Sequence, residues 1–172
     1  MTAHTISKYM KSQKITTYVD TVRNYLKYFK SCYSAHQISR FDIKGKKIFE
    51  INDKYYINDV GMCHSNLKYR AGKISQILEN VVYMELLYRG YNVSVGASNG
   101  TEIDFNATKH NEKTYFQVTY LLASEETVKR EFAPLLAIKD DSPEYVLSMD
   151  NTIRGNDYQG IRRLSIIDFL TY

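Results

Sequence analysis

Tryptophan is absent from the 172 residues of the chain, and proline and cysteine occur only twice each. The isolated Cys32 and Cys63 fit neither a disulfide scaffold nor the CxxC spacing of a zinc site. No run approaches the roughly 18 apolar residues of a transmembrane helix, and residues 1–14 lack the apolar core of a signal peptide. The sequence therefore predicts a reduced, cytoplasmic protein that has no membrane partner.

Positive charge is concentrated in the first part of the sequence. Residues 1–73 contain 14 Lys and Arg against 5 Asp and Glu, whereas residues 74–172 contain 9 against 14. Such an asymmetry indicates two functional units, of which the basic one is suited to phosphate groups. The alternative is that the lysines keep a small tyrosine-rich unit in solution. We predict one unit at 1–65 and a second at 72–172.

The first unit is predicted to contain two helices followed by a hairpin. A buried stripe on the second helix is predicted from the helical spacing of Val19, Val22, Leu26, Phe29 and Tyr33. Extended segments then flank a turn at Gly45, which is a hairpin signal. Two helices and a hairpin with a basic tip are the elements of a small winged-helix unit, whose second helix and wing approach nucleic acid.

Two groups of basic residues occupy those two elements. The first group recurs at i, i+4 and i+7 of the second helix and consists of Arg23, Lys27 and Lys30. The second group forms the hairpin tip and consists of Lys44, Lys46 and Lys47. A solvated helix face would show the same spacing, but the two groups together predict a surface that binds nucleic acid.

The sequence from residue 74 onward predicts an α-β-β-β-α-β core, a mixed sheet flanked by helices. The helices are expected at 74–89, where Gly90 ends the first one, and at 125–138, where Ser124 is the N-cap. The strands are expected at 91–95, 101–108, 114–120 and 145–149, and a last short helix or strand at 166–170.

Three polar residues of this core belong to consecutive elements. Glu79 lies 11 residues before Gly90 in the first helix, and Asp104 in the second strand lies 13 before Gln117 in the third. Oxygen atoms that converge on one point can hold Mg²⁺ for phosphodiester cleavage. The alternatives are a solvated carboxylate at Glu79 and a buried amide, satisfied by the backbone, at Gln117.

The element order and these spacings resemble the PD-(D/E)xK fold of Holliday-junction resolvases and restriction enzymes. The resemblance implies a restriction-endonuclease-like core in which Glu79, Asp104 and Gln117 bind Mg²⁺ or Mn²⁺. It also implies a catalytic role for position 119, where this sequence has Thr119 in place of the lysine. Since Gln117 likewise replaces an acid, weak or absent cleavage is expected unless a cation of the next helix, at Lys129 or Arg130, substitutes.

A second resemblance covers nearly the whole chain. It rests on the segments VRNYL (22–26), RFDIKGK (40–46), KYYINDVG (54–61), ILENVVY (77–83), RGYNV (89–93), EIDF (102–105) and QVTY (117–120). These are similar to the C-terminal half of AAA-type P-loop ATPases that end in a winged helix and a nuclease-like domain. A glutamine at the position of Gln117 is common in that family. The resemblance implies an ATPase domain or a second copy of the chain as partner.

The nucleotide-binding half of such an ATPase is missing from the sequence. A Walker A loop has the pattern GxxxxGK[ST], whose glycines let the backbone cradle phosphate. Before Gly45-Lys46 the first glycine is replaced by Arg40, and before Gly72-Lys73 it is replaced by Leu67. The chain is therefore not expected to bind ATP on its own.

Two functions of different classes are compatible with these patterns. The first is a nucleic-acid-associated module whose nuclease-like domain cleaves weakly or not at all. The second is an assembly scaffold of an ATPase machine, without nucleic-acid chemistry. Divalent-metal binding and salt-dependent DNA binding would distinguish the two.

Overall fold

The computed structural model describes residues 3–66, 74–98, 101–150 and 157–171. The first half forms α1 (Ala3–Ser12), α2 (Val19–Ser31), β1 (Ala35–Asp42), β2 (Lys47–Ile57) and α3 (Val60–Asn66). The second half forms α4 (Ile74–Tyr88), β3 (Asn92–Ser98), β4 (Thr101–Lys109), β5 (Glu112–Val118), α5 (Glu125–Leu136), β6 (Glu144–Ser148), β7 (Arg162–Ser165) and α6 (Ile166–Thr171). In the described ranges, no helix is both long and apolar enough to span a bilayer.

All of these strands belong to one mixed sheet with the order β2-β1-β3-β4-β5-β6-β7. The pairs β1–β2, β3–β4 and β4–β5 are antiparallel, whereas β1–β3, β5–β6 and β6–β7 are parallel. The predicted α/β class is thus confirmed, as are the order of α4 to β6 and the adjacency of β4 and β5. Strand β7 was not predicted, and the segment at 166–170 is a helix.

The hairpin of β1 and β2, which the sequence predicts as the wing of a separate unit, pairs with a strand of the second half. Strand β1 pairs in parallel with β3, with Arg40 opposite Val95 and Asp42 opposite Ala97. The backbone N–H of Ile43 extends the pairing by donating to the carbonyl of Ala97. The hairpin therefore extends the sheet of the second half, and this sheet runs across the boundary predicted between residues 65 and 72.

Apolar side chains fill both faces of the sheet because successive strand residues point to opposite sides. On one face, α4 and α6 cover a core whose buried members include Leu86, Phe105, Phe116, Leu147 and Phe169. On the other face, α5 covers a second core that includes Ile103, Tyr115, Phe132, Leu135 and Val146. The consecutive residues Tyr115 and Phe116 thus pack into opposite cores.

The ends of α4 and α5 form as the sequence predicts. Gly90 has a φ of +80°, and its N–H donates to the carbonyl of Leu87. This left-handed backbone conformation is readily adopted by glycine, so the helix ends here and β3 can begin. At the start of α5, the Ser124 hydroxyl accepts a hydrogen bond from the N–H of Thr127. That bond satisfies one of the free donors of the first turn.

The predicted buried stripe of α2 is wrong for part of its length. Val22 is 3% exposed, but Phe29 is 49% exposed and Tyr33, beyond the end of the helix, is 74% exposed. Helix α2 packs against α1 and β1, and this packing reaches Val22. The helical spacing correctly predicted the helix, but spacing cannot tell whether a neighbour covers each apolar side chain.

Gly96 offers a test of the shared sheet, because it lies in β3, the strand of the second half that pairs with the hairpin. A Cβ atom on Gly96 would lie 3.0 Å from Cβ of Ile103 and 3.1 Å from Cδ1 of Ile43. We expect Gly96→Ala to lower the free energy of unfolding by about 1–3 kcal/mol through overpacking. Urea denaturation measures this loss, with Asn92→Ala on the exposed part of the same strand as control.

The contact with Ile43 makes the test specific to the hairpin. Adding Ile43→Ala to Gly96→Ala should recover part of the loss, with a coupling free energy of at least about 0.5 kcal/mol. Strictly additive effects of the two substitutions would contradict the packing of the hairpin against β3.

Candidate functional site

The candidate site lies where β4 and β5 stop pairing through their backbones. Their ladder runs from Lys109 opposite Glu112 to Phe105 opposite Phe116. The same register places Asp104 opposite Gln117, but here side chains replace the backbone ladder. The Asp104 N–H donates to Oε1 of Gln117 over 3.3 Å, and the Val118 N–H donates to Oδ2 of Asp104 over 2.8 Å. The two residues predicted as site residues on these strands are thus direct neighbours.

The Asp104 side chain is half-buried, and its surroundings disfavour a negative charge. Burial, and then the negative charge of Glu79, raise its pKa to about 8, although the Val118 N–H and Lys54 act in the opposite direction. Burial penalises the ionised form because it removes water that would solvate the charge. Asp104 is therefore mainly protonated at neutral pH.

A lysine of β2 neutralises the remaining acids of the site. The Lys54 ammonium contacts the Glu79 carboxylate and lies 3.0 Å from Oε1 of Glu102. Burial alone would lower the pKa of Lys54, but Glu79 and its acidic neighbours raise it overall. Burial would likewise raise the pKa of Glu102, yet Lys54 and Arg40 hold it below its usual value. Both groups are thus charged at neutral pH.

Two further side chains complete this charged cluster. The Tyr56 hydroxyl donates a hydrogen bond to Glu79, and the guanidinium of Arg40 lies 2.7 Å from Oε2 of Glu102. Burial, and then the charge of Glu79, raise the pKa of Tyr56, so its hydroxyl keeps its proton and acts as a donor. Lys54 and Tyr56 are two residues apart in β2 and share a face, which lets both reach Glu79.

Gln117 links Asp104 to helix α5. Its Oε1 accepts from the Asp104 N–H, while its Nε2 donates to Oε2 of Glu131 over 3.4 Å. Glu131 in turn pairs with Arg130 at 2.8 Å. A glutamate at position 117 could not donate to Glu131 and would repel its negative charge. The neutral amide therefore fits these neighbours better than the acid of the PD-(D/E)xK pattern would.

The other predicted residues lie at various distances from this cluster. Thr119 is buried just after β5, where its N–H donates to the carbonyl of Leu147. Lys129 lines a pocket of about 440 Å³ at the start of α5, together with Tyr158 and Arg163. In the described part of the chain, the cation that contacts Glu79 is Lys54. Sequence reasoning missed this residue because it assigned residue 54 to a separate unit.

In the described residues, the acids of the site contact partners other than a shared ion. A divalent cation needs several oxygen ligands around one point. Glu79 and Glu102 both turn their oxygens toward the Lys54 ammonium, and Asp104 is hydrogen-bonded to the backbone of β5. Within residues 3–66, 74–98, 101–150 and 157–171, no three His, Cys, Asp or Glu side chains are placed to share an ion.

The six predicted nucleic-acid contacts are all exposed at the surface, on α2 and at the hairpin tip. Arg23 forms an exposed ion pair of 2.8 Å with Asp20, and Lys30 donates to Oε1 of Gln37 over 3.2 Å. At the tip, the Asp42 carboxylate accepts from the Gly45 N–H at 3.0 Å, which fixes the turn that carries Lys44 and Lys46. Exposed pairs of this kind are weak and leave the cations available to phosphate.

Comparison with known proteins gives two relatives of unknown function. An uncharacterized protein of Haemophilus influenzae is 32% identical over 165 residues, which cover 96% of this chain and 40% of that protein. An uncharacterized protein of Methanocaldococcus jannaschii is 33% identical over 158 residues, covering 87% of this chain and 33% of that protein. The chain therefore spans well under half the length of these relatives. No family model and no solved structure matches it.

Asp104→Asn should remove a loss of stability that develops as the pH rises from about 4 to about 8. The folded-state pKa near 8 lies above the unfolded value of about 3.9, so the folded state holds a proton that the unfolded state releases. This group contributes stability below pH 4 and loses it as the pH rises toward 8, by at most about 1.4 kcal/mol per pH unit. The variant, whose amide oxygen can still accept from Val118, should lack that decline.

Urea denaturation between pH 5 and 8.5 checks this expectation. Glu144, whose pKa burial raises to about 7, titrates in the same range, so the difference between the two proteins is the relevant quantity. The variant should be at least as stable as the parent protein at pH 8. Parallel pH profiles for the two proteins would show that Asp104 is ionised when folded.

Lys54→Met should destabilise the fold because it removes the cation that contacts the partly buried Glu79 carboxylate and leaves Glu102 with Arg40 as its remaining cation. We expect the free energy of unfolding at pH 7.5 to fall by about 1–3 kcal/mol. Lys47→Met, at the exposed start of the same strand, is the matched control and should have little effect. Adding Glu79→Gln to Lys54→Met should restore part of the loss. Equal stabilities of Lys54→Met and the control would contradict the network.

Proposed function

We propose that the chain is a nucleic-acid-associated module with a PD-(D/E)xK-like core in which cleavage is weak or absent. The observation that carries this proposal is that Asp104 and Gln117 are hydrogen-bonded neighbours at the point where the backbone pairing of β4 and β5 ends. In addition, the charge of Glu79 in α4 contributes to the raised pKa of Asp104. The sequence pattern assigned those same three residues to the active site of this fold. Their spatial convergence is what a shared ancestral site requires.

The order of elements supports the same core. Helix α4 is followed by the antiparallel strands β3, β4 and β5, by helix α5 on one face, and by the parallel strand β6. In a PD-(D/E)xK domain the helix contributes one acid and the middle strands contribute the others. The present chain has Glu79, Asp104 and Gln117 at those places.

Weak or absent cleavage follows from the charge state of these groups. Mg²⁺ and Mn²⁺ prefer ionised carboxylates, whereas Gln117 is neutral. The Glu79 carboxylate is engaged by Lys54 and Tyr56. Removal of one preorganised charged group costs on the order of 100- to 1,000-fold in rate. The departures at 117 and 119 together therefore favour binding over chemistry.

Nucleic-acid binding is supported by the exposed cations of the first half. The members of this basic surface are Arg23, Lys27, Lys30, Lys44, Lys46 and Lys47. Phosphate contacts of this kind release counterions, so the affinity falls steeply with salt. The greater length of both relatives leaves room for further domains, such as the ATPase domain that the resemblance implies. A scaffold function would need none of these cations.

The central test is incubation of the chain with branched, single-stranded and duplex DNA in the presence of Mg²⁺ or Mn²⁺. We expect salt-dependent binding and no cleavage above background. The reason is that Gln117 is neutral, Thr119 replaces the lysine and Glu79 is paired with Lys54. Asp104→Ala is the control for any cleavage that appears. Robust cleavage abolished by that substitution would overturn the proposal of a weak or inactive site.

The binding arm has its own matched variants. Replacing Arg23, Lys27 and Lys30 by Gln should lower the affinity and reduce the slope of log affinity against log salt, by roughly 0.7–0.9 for each phosphate that the variant no longer neutralises. Lys139→Gln, an exposed lysine of the acidic half, should leave both unchanged. Absence of binding to any DNA would favour the scaffold function instead.

A further inference from the structure

Helix α2 and its flanks expose a large set of aromatic side chains. Its members, each at least 49% exposed, are Tyr18, Tyr25, Tyr28, Phe29 and Tyr33. A single exposed apolar side chain is ordinary in a soluble protein. Five within 16 consecutive residues exceed such scattered exposure, and clustered exposed apolar residues mark a site of interaction.

Three of these residues form one face of the helix. Tyr25, Tyr28 and Phe29 stand at i, i+3 and i+4, so their side chains are neighbours on the helix surface. Val22 on the adjacent side is buried, and the helix packs against α1 and β1. The aromatic face, defined by Tyr25, Tyr28 and Phe29, leaves ring surfaces exposed to solvent.

A basic face lies on the other side of the same helix. Arg23, Lys27 and Lys30 recur at i, i+4 and i+7 and are exposed. A helix with its side chains is about 10–12 Å across, so a cation and an aromatic ring on its two sides lie within the reach of one or two nucleotides. Residues 3–48 carry ten Lys and Arg against two Asp, a charge that suits a polyanion.

We propose that α2 binds single-stranded nucleic acid, with unpaired bases stacked on the aromatic face and phosphates held by the basic face. This inference rests on the proposed nucleic-acid function and specifies its ligand. In a duplex the flat faces of the bases are stacked on one another, so rings on a convex helix cannot reach them. In a single strand every base has a free face, and stacking on an aromatic ring tolerates any sequence.

Charge complementarity favours this ligand over an apolar protein surface. An apolar partner that covered the aromatic face would leave the cations of the basic face without a counter-charge. A single strand supplies the apolar base and the counter-charge together. The same combination of rings and cations is what non-specific single-strand binding requires.

The test uses the full chain, a 20-nucleotide thymidine oligonucleotide and a duplex of the same length, each titrated at several salt concentrations. We expect Tyr25→Ala combined with Tyr28→Ala to weaken single-strand binding by roughly 5- to 150-fold for each base that no longer stacks. The slope against salt should stay unchanged, because every phosphate-binding cation is kept. Tyr25→Phe combined with Tyr28→Phe should keep the affinity.

Two controls address folding and specificity. Tyr88→Ala removes a tyrosine that is 87% exposed on α4 and should leave binding unaltered. Because the chain has no tryptophan, Tyr28→Trp introduces a single reporter on the aromatic face. Its emission should be quenched by the single strand and little affected by the duplex, whereas Tyr88→Trp should respond to neither.

The possible outcomes separate this inference from the function on which it rests. Equal binding of single strand and duplex, unaffected by the alanine variants, would overturn the inference and leave nucleic-acid binding in place. Failure to bind either nucleic acid would overturn both. A concentration-dependent blue shift of Tyr28→Trp without nucleic acid would show that a second copy covers the aromatic face, and would also overturn the inference.

Discussion

The Lys54 ammonium lies between Glu79 of α4 and Glu102 of β4, and the neighbouring structure depends on this contact. Two carboxylates cannot share a partly buried place at neutral pH unless a cation lowers their repulsion. The cation comes from β2, which reaches the acids only because the hairpin extends the sheet of the second half. A single ion-pair network thus joins segments that are far apart in the sequence.

Asp104 shows what the same environment does to an acid without such a partner. It is half-buried beside Glu79, and its oxygen accepts from the backbone where a ladder bond of β4 and β5 would otherwise lie. The carboxyl responds by holding a proton. The Gln117 side chain beside it carries no charge, and it can donate to Glu131 because it is an amide. Protonated acid and amide together add no charge to this part of the cluster.

The sequence predicted the second half well because its periodicity is strong there. Helical spacing ends at Gly90 and alternation follows, so α4, β4 and β5, and the meeting of Asp104 with Gln117, were accessible from pattern alone. The position of the hairpin in the sheet could not be predicted, because β1 pairs with β3 through backbone groups that any residue supplies. Lys54 was missed with it. Strand β7, which begins with Arg162 and Arg163, carries no apolar alternation to reveal it.

The charges around Asp104 also bear on how nucleic acid could approach the site. Glu79 and Glu102 are negative, Lys54 and Arg40 are positive, and a protonated Asp104 adds nothing, so the cluster is close to neutral. A metal-dependent nuclease site without its metal is strongly negative and repels phosphate. Here the ion pairs leave no such excess of negative charge to repel a phosphate. The neutralised cluster is therefore compatible with the proposed binding of nucleic acid.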